Sequence, residues 1–193
     1  LKAARPDIVL GGGHFEDGQL LCRQMADLGI EVKALSLIAA ATLPAFGDAL
    51  GPDAEGVMGP SHWELGVTYD EAAAGEAGVP WFGPSQKEFE ERFHAAVGGK
   101  TLPDYHAAEA AAAVLAWVLA MEDAGTAEPD AVRRELGELR FLSFYGLWDI
   151  DDTGLQVGHS MIDVQWQQGK RVIVWPEDTR TGPFEFPKRP FSE

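Results

Sequence analysis

The sequence feature that most constrains the fold is a short apolar strand that runs into a glycine turn and then into a helix. Residues 8–10 form the strand, Gly11-Gly12-Gly13 form the turn, and apolar side chains recur at helical spacing from residue 15 to residue 28. Gly29 ends this helix, and residues 31–38 alternate as a second strand. A strand–helix–strand unit with short connections has parallel strands and a right-handed crossover, so the sequence predicts an α/β fold.

The rest of the chain continues this alternation and then changes to a β-rich tail. The pattern predicts a loop over residues 64–83 and a helix over residues 105–124 that is apolar on nearly every face, which is typical of a buried helix. The apolar run of this helix, residues 110–121, is too short to cross a bilayer. Further strands are predicted over residues 55–61, 146–150, 159–167 and 171–175, and further helices over residues 85–97 and 129–139.

The charge balance and the cysteine content limit the partners of the chain. It has 31 acidic side chains against 15 basic ones, a net charge of -16. Nucleic-acid binding needs a basic surface, so we expect no nucleic-acid partner. Cys22 is the only cysteine, which excludes a disulfide within the chain, and its place inside the first helix is typical of an inert buried thiol.

The glycine turn lacks the motifs that bind nucleotide phosphates. A dinucleotide fingerprint needs glycine where Glu16 stands, and no Gly-Lys-Ser/Thr follows to make a P-loop. Glu16 and Asp17 at the start of the helix would also repel a phosphate. Two interpretations stay open: a tight turn that needs positive φ at glycine, or a turn that lets the backbone approach a small ligand.

No other part of the sequence carries a catalytic or metal-binding motif. The five histidines lie too far apart for a metal motif, and no Gly-x-Ser-x-Gly nucleophile motif is present. We therefore expect no enzyme, no metal site and no cofactor. Four aromatic residues stand at predicted element boundaries, where they would either wall a cleft or pack in a core: Trp63, Trp81, Tyr105 and His106.

Several segments along the chain form a set that is specific in its order and spacing. They are residues 6–24, Asp27-Leu28-Gly29-Ile30, residues 50–60 with Gly-x-Asp-Ala-Glu-Gly-Val, Pro103-Asp104-Tyr105-His106-Ala107-Ala108, residues 144–154, Val164-Gln165-Trp166 and residues 172–176. This set resembles the periplasmic substrate-binding proteins of branched-chain amino acid ABC transporters, which have the type I periplasmic-binding fold. The resemblance covers nearly the whole chain and corresponds to about the carboxyl-terminal half of such a protein.

The resemblance implies an organisation into lobes. In that family two Rossmann-like α/β lobes are joined by a three-crossing hinge and close on the ligand. Carried over to this chain, residues 1–58 are part of the second lobe, residues 59–161 are part of the first lobe, and residues 162–193 return to the second lobe. Because this implies that only the later half of the fold is present, we expect the chain to fold poorly without the missing amino-terminal half.

The resemblance also implies a set of ligand contacts. They are Gly13, His14, Phe15, Ile38, Ala39, Trp63 and Tyr105. Family members that bind amino acids often carry an acid near Ile38 to pair with the ligand ammonium, but residues 36–41 contain none. Since a buried ammonium needs a carboxylate partner, either the ligand lacks an α-amino group or its partner lies in the missing half.

The function implied by the resemblance is that of a solute receptor without enzymatic activity. The receptor captures a small organic solute, either branched-chain amino acid-like or a carboxylate or amide lacking an α-amino group, and passes it to the membrane permease of an ABC transporter. Its implied location is periplasmic or extracellular, with a signal peptide in the full-length protein and with or without a lipid anchor. Two alternatives are a cytoplasmic ligand sensor of the same fold that regulates a partner protein, and an enzyme on an α/β scaffold.

Overall fold

The computed structural model describes residues 1–67, 69–99 and 101–192. The chain divides into two compact units: the first unit comprises residues 1–64 and those from 161 onward, and the second unit comprises residues 65–160. The assignment of residues 1–58, 59–161 and 162–193 to two lobes stays a prediction. The elements in chain order are β1 (Ile8–Gly11), α1 (Phe15–Asp27), β2 (Ala34–Leu37), α2 (Pro44–Leu50), a 3-10 helix (Gly51–Ala54), β3 (Val57–Ser61), α3 (Glu71–Ala77), α4 (Gln86–Val97), α5 (Tyr105–Ala124), α6 (Pro129–Glu138), β4 (Phe141–Ser143), β5 (Gly146–Trp148), β6 (Ile162–Gln167) and β7 (Lys170–Trp175).

A five-stranded mixed sheet forms the centre of the first unit, with the strand order β1-β2-β3-β6-β7. The predicted parallel pairing of the first two strands is confirmed, and Gly11 lies opposite Leu37 where β1 and β2 end. β3 continues the parallel part, whereas β6 pairs antiparallel with both β3 and β7. The end of β1, which leads into the glycine turn, and the end of β2 therefore meet at the carboxyl edge of the parallel strands.

The two faces of this sheet differ in what covers them. On one face α1 and α2 pack against the strands, with Cys22 and Met25 of α1 fully buried in the core and Val9 of β1 against it. Because side chains alternate along a strand, Ile8 and Leu10 point to the other face. Both are exposed, Leu10 to 80% of its surface. That face of β1 presents apolar surface to solvent.

The second unit contains the helices α3–α6 and the antiparallel pair β4–β5. Its core lies where α5 packs on α6 and on β4, and it includes Ala116, Ala120, Val132 and Phe141, all of them buried. The strand β4 has only three residues, all buried, and therefore shows none of the apolar–polar alternation from which a strand is predicted.

The prediction of a loop over residues 64–83 is wrong for its middle part, which is the helix α3. Asp70 begins this helix, since its side chain accepts the N–H of Ala73 at 2.8 Å. Gly78 ends it with a φ of 67°. Alanine, the best helix former, makes up most of this helix, which has caps at both ends but no apolar periodicity.

The prediction that α5 is buried on every face is also wrong. Val114 and Trp117 expose 61% and 57% of their surface. Among the described residues no helix is by itself long and apolar enough to cross a bilayer, and α5 and α6 pass that test only as a pair, on length and composition, with a bend of 108° between them. The buried stripe of α5 consists of alanines four residues apart: Ala108, Ala112, Ala116 and Ala120.

Candidate ligand-binding site

The glycine turn lines a small cavity in the first unit, at the carboxyl ends of β1 and β2. This is the edge of a parallel sheet at which α/β proteins bind small ligands. Ile38 donates its N–H to the carbonyl of Gly11 at 3.0 Å, which joins the two strand ends beneath the cavity. The cavity has a volume of about 70 Å³. Its lining residues are Gly11, Gly12, Gly13, Asp17, Gly18, Leu21, Leu37 and Ile38.

Close packing, rather than backbone conformation, explains Gly11 and Gly13, whereas a Cβ atom at Gly12 would meet nothing within 4 Å. None of Gly11, Gly12 and Gly13 has a positive φ, so the interpretation of a turn that needs positive φ is wrong. A Cβ atom at Gly11 would lie 2.6 Å from the Leu37 side chain, and one at Gly13 would lie 2.9 Å from the Cβ of Asp17. The absence of side chains thus lets the strand end and the start of α1 come together around the cavity.

The end of β2 leads into a turn of unusual backbone conformation. Ala39 has a φ of 63°, a left-handed value that costs a residue with a Cβ atom about 1–2 kcal/mol. Ala40 donates its N–H to the carbonyl of Ile38 at 2.8 Å, and the Thr42 hydroxyl donates to the carbonyl of Ala39 at 3.1 Å. Strained backbone of this kind persists only where the surroundings hold it, and such strain is common at ligand sites.

Two side chains of the β6–β7 hairpin donate hydrogen bonds to the backbone of this turn. The indole N–H of Trp166 donates to the carbonyl of Ala41 at 2.7 Å, and the guanidinium of Arg171 donates to the carbonyl of Thr42. Arg171 also pairs with the Glu64 carboxylate at 3.1 Å, and both side chains are buried. Because these groups come from β6, β7 and the segment after β3, the turn is fixed by the whole first unit.

The electrostatic character of the cavity comes from Asp17, which is the one charged residue that lines it. The Asp17 carboxylate accepts the backbone N–H of His14 at 2.9 Å through Oδ2, which fixes the side chain at the start of α1. From the sequence, Asp17 was expected only to repel phosphate at the start of the helix. Its position four residues after Gly13, on the first turn of the helix that the glycines open, is the signal that would have placed it here.

Two of the seven predicted contacts line this cavity, and three more are their near neighbours in the sequence. Gly13 and Ile38 line it, His14 and Phe15 follow directly at the start of α1, and Ala39 follows Ile38. The imidazole of His14 is exposed and Phe15 is half-buried. The structure therefore brings together the predicted residues of the glycine turn and of the second strand, whereas their role in binding stays a prediction.

The other two predicted contacts have different surroundings. Trp63 is buried, with 1% of its surface exposed, and its carbonyl accepts the Ser61 hydroxyl at 2.9 Å. Tyr105 lies in the second unit, where its ring stacks on His106 with 3.9 Å between centroids. Burial raises the pKa of Tyr105, and the nearby Glu109 and Asp104 raise it further, so the phenol is a neutral hydrogen-bonding group at physiological pH.

Within the described ranges, no group of three or more His, Cys, Asp or Glu side chains is placed to hold a metal ion. The lining of the cavity offers apolar side chains, backbone groups of the glycine turn and one carboxylate.

Comparison with known proteins gives one family and a set of similar folds. A family described as periplasmic binding protein matches residues 1–171 of the chain. Among solved structures, a leucine binding protein, LivK, from Thermotoga maritima is similar over 89% of this chain and 45% of its own, with 22% identity and a TM-score of 0.67. Identity at this level shows a common fold.

Two further structures have this fold. The branched-chain amino acid transporter substrate binding protein LivJ from Streptococcus pneumoniae, solved in complex with isoleucine, is 16% identical with a TM-score of 0.67, over 86% of this chain and 42% of its own. An ABC transporter solute binding protein from R. palustris, in complex with benzoate, is 17% identical with a TM-score of 0.65, over 94% of this chain and 44% of its own. The chain thus spans about half the length of these proteins.

Proposed function

The chain belongs to the periplasmic binding protein family, and from this premise we propose that it is part of a solute receptor that serves an ABC importer. The receptor captures a small organic solute in a cleft between two lobes and releases it, chemically unchanged, to the membrane permease. The observation that carries the proposal is the cavity at the carboxyl ends of β1 and β2, which Gly13 and Ile38 line. These are two of the residues for which the resemblance implies ligand contact.

In the proposed receptor the solute is bound by both lobes. The glycine turn and the turn after β2 form one wall of the proposed solute site, and the resemblance implies that Tyr105 also contacts the solute. The first wall is well suited to this task because hydrogen bonds from Trp166 and Arg171 hold the backbone of the turn after β2 before any solute arrives. A preformed wall loses little conformational entropy when it binds.

The proposed receptor is completed by an amino-terminal half, which packs on the open face of the five-stranded sheet. Parallel strands in α/β proteins are covered on both faces. Ile8 and Leu10 leave apolar surface exposed on the parallel part of this sheet, which supports the presence of a covering layer in the complete protein. The same proposal places the receptor in the periplasm or outside the cell, where the family works.

The chemical class of the solute follows from the family only in outline. The similar proteins named above were crystallised with isoleucine and with benzoate, and a third is described as a leucine binding protein. Two of these ligands carry an α-amino group and one does not. The proposed solute is accordingly either branched-chain amino acid-like or a carboxylate or amide without that group.

A thermal-shift screen of the complete protein tests the proposal. A solute that binds only the folded state stabilises it by about 2.7 kcal/mol at a hundredfold excess over Kd. We expect a rise in melting temperature with a member of a panel of aliphatic amino acids, aromatic carboxylates and amides. Calorimetry with that solute should then show weaker binding for the variants His14→Ala and Tyr105→Ala.

The control for the site is His94→Ala on α4, since His94 belongs to no predicted contact. Equal affinity of the His14→Ala and Tyr105→Ala variants and of the parent protein would refute the predicted site. A panel without any stabilising member would count against the receptor function itself.

A further inference from the structure

One ion pair of the first unit is buried. The Arg171 guanidinium on β7 pairs with the Glu64 carboxylate at 3.1 Å, and these two side chains expose only 8% and 5% of their surface. Glu64 is the last residue of the first unit before the chain enters the second. Taking two charges out of water commonly costs as much as their attraction returns, so a buried pair stabilises a fold no better than apolar side chains do. The pair therefore points to a role other than stability.

The guanidinium of Arg171 also holds the backbone of the turn after β2. One of its nitrogens pairs with Glu64, and the other donates to the carbonyl of Thr42, a fully buried residue. Trp166 lies directly opposite Arg171 in the β6–β7 ladder and donates its indole N–H to the carbonyl of Ala41 at 2.7 Å. Two cross-strand neighbours thus bind two consecutive carbonyls of one turn. Because a guanidinium is planar and rigid, its pairing with Glu64 fixes the direction in which it meets the turn.

A short chain of contacts leads from Thr42 to the cavity. The Thr42 hydroxyl donates to the carbonyl of Ala39 at 3.1 Å, and Ala39 has the left-handed φ of 63°. Ile38, the residue before it, lines the cavity. A residue with a Cβ atom keeps a left-handed backbone only where its surroundings hold it. The hydrogen bond from Arg171 to Thr42 is one of the contacts that hold it here.

We propose that Arg171 and Glu64 are positioning residues of the solute site. This rests on the proposed function and adds two residues that set the affinity for the solute without contacting it. Arg171 holds the Thr42 carbonyl, and with it the turn that follows Ile38, in the conformation that the solute meets. Glu64 holds Arg171, and because Glu64 stands where the chain leaves the first unit, the pair also ties this exit to the wall of the site.

Replacing both charges at once in the complete protein tests the proposal. In the variant Arg171→Met the buried Glu64 carboxylate loses its guanidinium partner, so the melting temperature should fall by several degrees. The double variant Arg171→Met/Glu64→Leu places two apolar side chains there and should recover most of this fall. The Thr42 carbonyl still lacks its donor, so we expect the turn to open more often although the fold is stable again.

Two measurements on the double variant separate positioning from stability. Hydrogen exchange without solute should be at least about tenfold faster than in the parent protein for the amides of residues 38–43, with β1 and β3 unchanged. Calorimetry uses isoleucine, benzoate and benzamide as probes. A probe that binds the parent protein should bind the double variant at least about tenfold more weakly, because a smaller fraction of the protein has the turn in place.

The control for lost stability is Met25→Ala in the core of the same unit. Met25 is fully buried, so its truncation should also lower the melting temperature by several degrees. It stands about 15 Å along α1 from Phe15. Because the site is distant, the affinity for the probe should stay within about twofold of the parent value. A second control, Lys170→Met, removes an exposed charge next to Arg171 on β7 and should change neither measurement.

The variant Arg171→Lys keeps the proposal testable if the double variant does not fold. A lysine keeps a positive charge beside Glu64 but lacks the planar fork that also reaches Thr42. It should retain a higher melting temperature than Arg171→Met and show the same faster exchange at residues 38–43 and the same weaker binding of the probe.

The outcomes distinguish this proposal from the receptor function. If exchange at residues 38–43 or affinity for the probe stays at the parent value in the double variant, the positioning role is refuted and the receptor function stands. If none of the three probes binds the parent protein at millimolar concentration, the receptor function and the positioning role are refuted together.

Discussion

At the scale of single residues, the cavity depends on glycines that leave room for larger neighbouring side chains. Gly13 leaves the space that Asp17 occupies, and Gly11 lets the Leu37 side chain reach the end of β1. In the same core Cys22 shows how burial sets chemistry. Burial raises the pKa of the Cys22 thiol from 9.0 to about 12, so that the thiol stays protonated and unreactive at neutral pH.

The raised pKa of Cys22 predicts a pH dependence of stability. Above pH 9 the thiol ionises in the unfolded chain but not in the folded one, so the unfolded state binds fewer protons and the free energy of unfolding falls as pH rises. The contribution of the protonated Cys22 thiol to the free energy of unfolding is fully present below pH 9. It is lost between pH 9 and about 12, at up to about 1.4 kcal/mol per pH unit.

Urea denaturation of the complete protein between pH 8 and pH 10.5 measures this slope, with Cys22→Ala as the control. The variant is expected to be less stable at every pH but to show a shallower loss above pH 9, since it lacks the ionising group. Parallel slopes for the two proteins would show that Cys22 does not contribute.

The residues of the glycine turn could be predicted from the sequence, whereas most of the residues that contact the turn could not. Gly13 and Ile38 were predicted from the resemblance, and the buried position of Cys22 from the helical pattern; the structure confirms the position of Cys22. Asp17, Trp166 and Arg171 were not predicted as parts of the site. The last two reach the turn from more than a hundred residues away, which no local pattern reports.

At the scale of elements, the close approach of α1 to the turn after β2 positions the cavity. This approach depends on Gly18, at which a Cβ atom would lie 2.4 Å from the Cβ of the buried Ala40. Both Cβ atoms are attached directly to backbone, so neither can move aside without a shift of α1 or of the strained turn. The distance between α1 and the turn after β2 therefore depends on the absence of a side chain at Gly18.

The variant Gly18→Ala tests this spacing. Overpacking costs about 1–3 kcal/mol and the better helix propensity of alanine returns up to about 1 kcal/mol, so we expect a net loss of about 1–2 kcal/mol in the free energy of unfolding. The control is Gly75→Ala, a helical glycine in α3 with nothing within 4 Å of the added methyl group.

The control should stabilise the protein by about 0.5–1 kcal/mol, because only helix propensity changes. Denaturation in urea measures both variants. A gain in stability for Gly18→Ala equal to that for Gly75→Ala would show that α1 does not make the close contact.

The elements that sequence analysis missed have physical reasons for being missed. The helix α3 consists largely of alanine and glycine and lacks an apolar stripe, although Asp70 and Gly78 mark its ends. The helix α5 was predicted to be buried all round because alanine counts as apolar wherever it stands. Alanine is small enough for either environment, and only one alanine stripe is buried while Trp117 on another face is exposed.

At the scale of the whole molecule, the chain has the fold of a family whose solved members are about twice as long. The strand–helix–strand start, the parallel pairing of β1 with β2 and the α/β class were all predictable from pattern, since each depends on local periodicity. The pairing of β6 with β3, across a hundred residues, could not be derived from periodicity. The same is true of the identity of the solute, because a ligand site is assembled from several distant segments.

The central claim is that this chain belongs to a receptor that binds a small solute and leaves it chemically unchanged. The most direct test is a calorimetric titration of the complete protein with a solute that raises its melting temperature, followed by recovery of that solute and its identification by NMR. We predict saturable binding of one solute per protein and recovery of the solute unaltered. Absence of binding across the whole panel, or conversion of the solute into another compound, would contradict the claim.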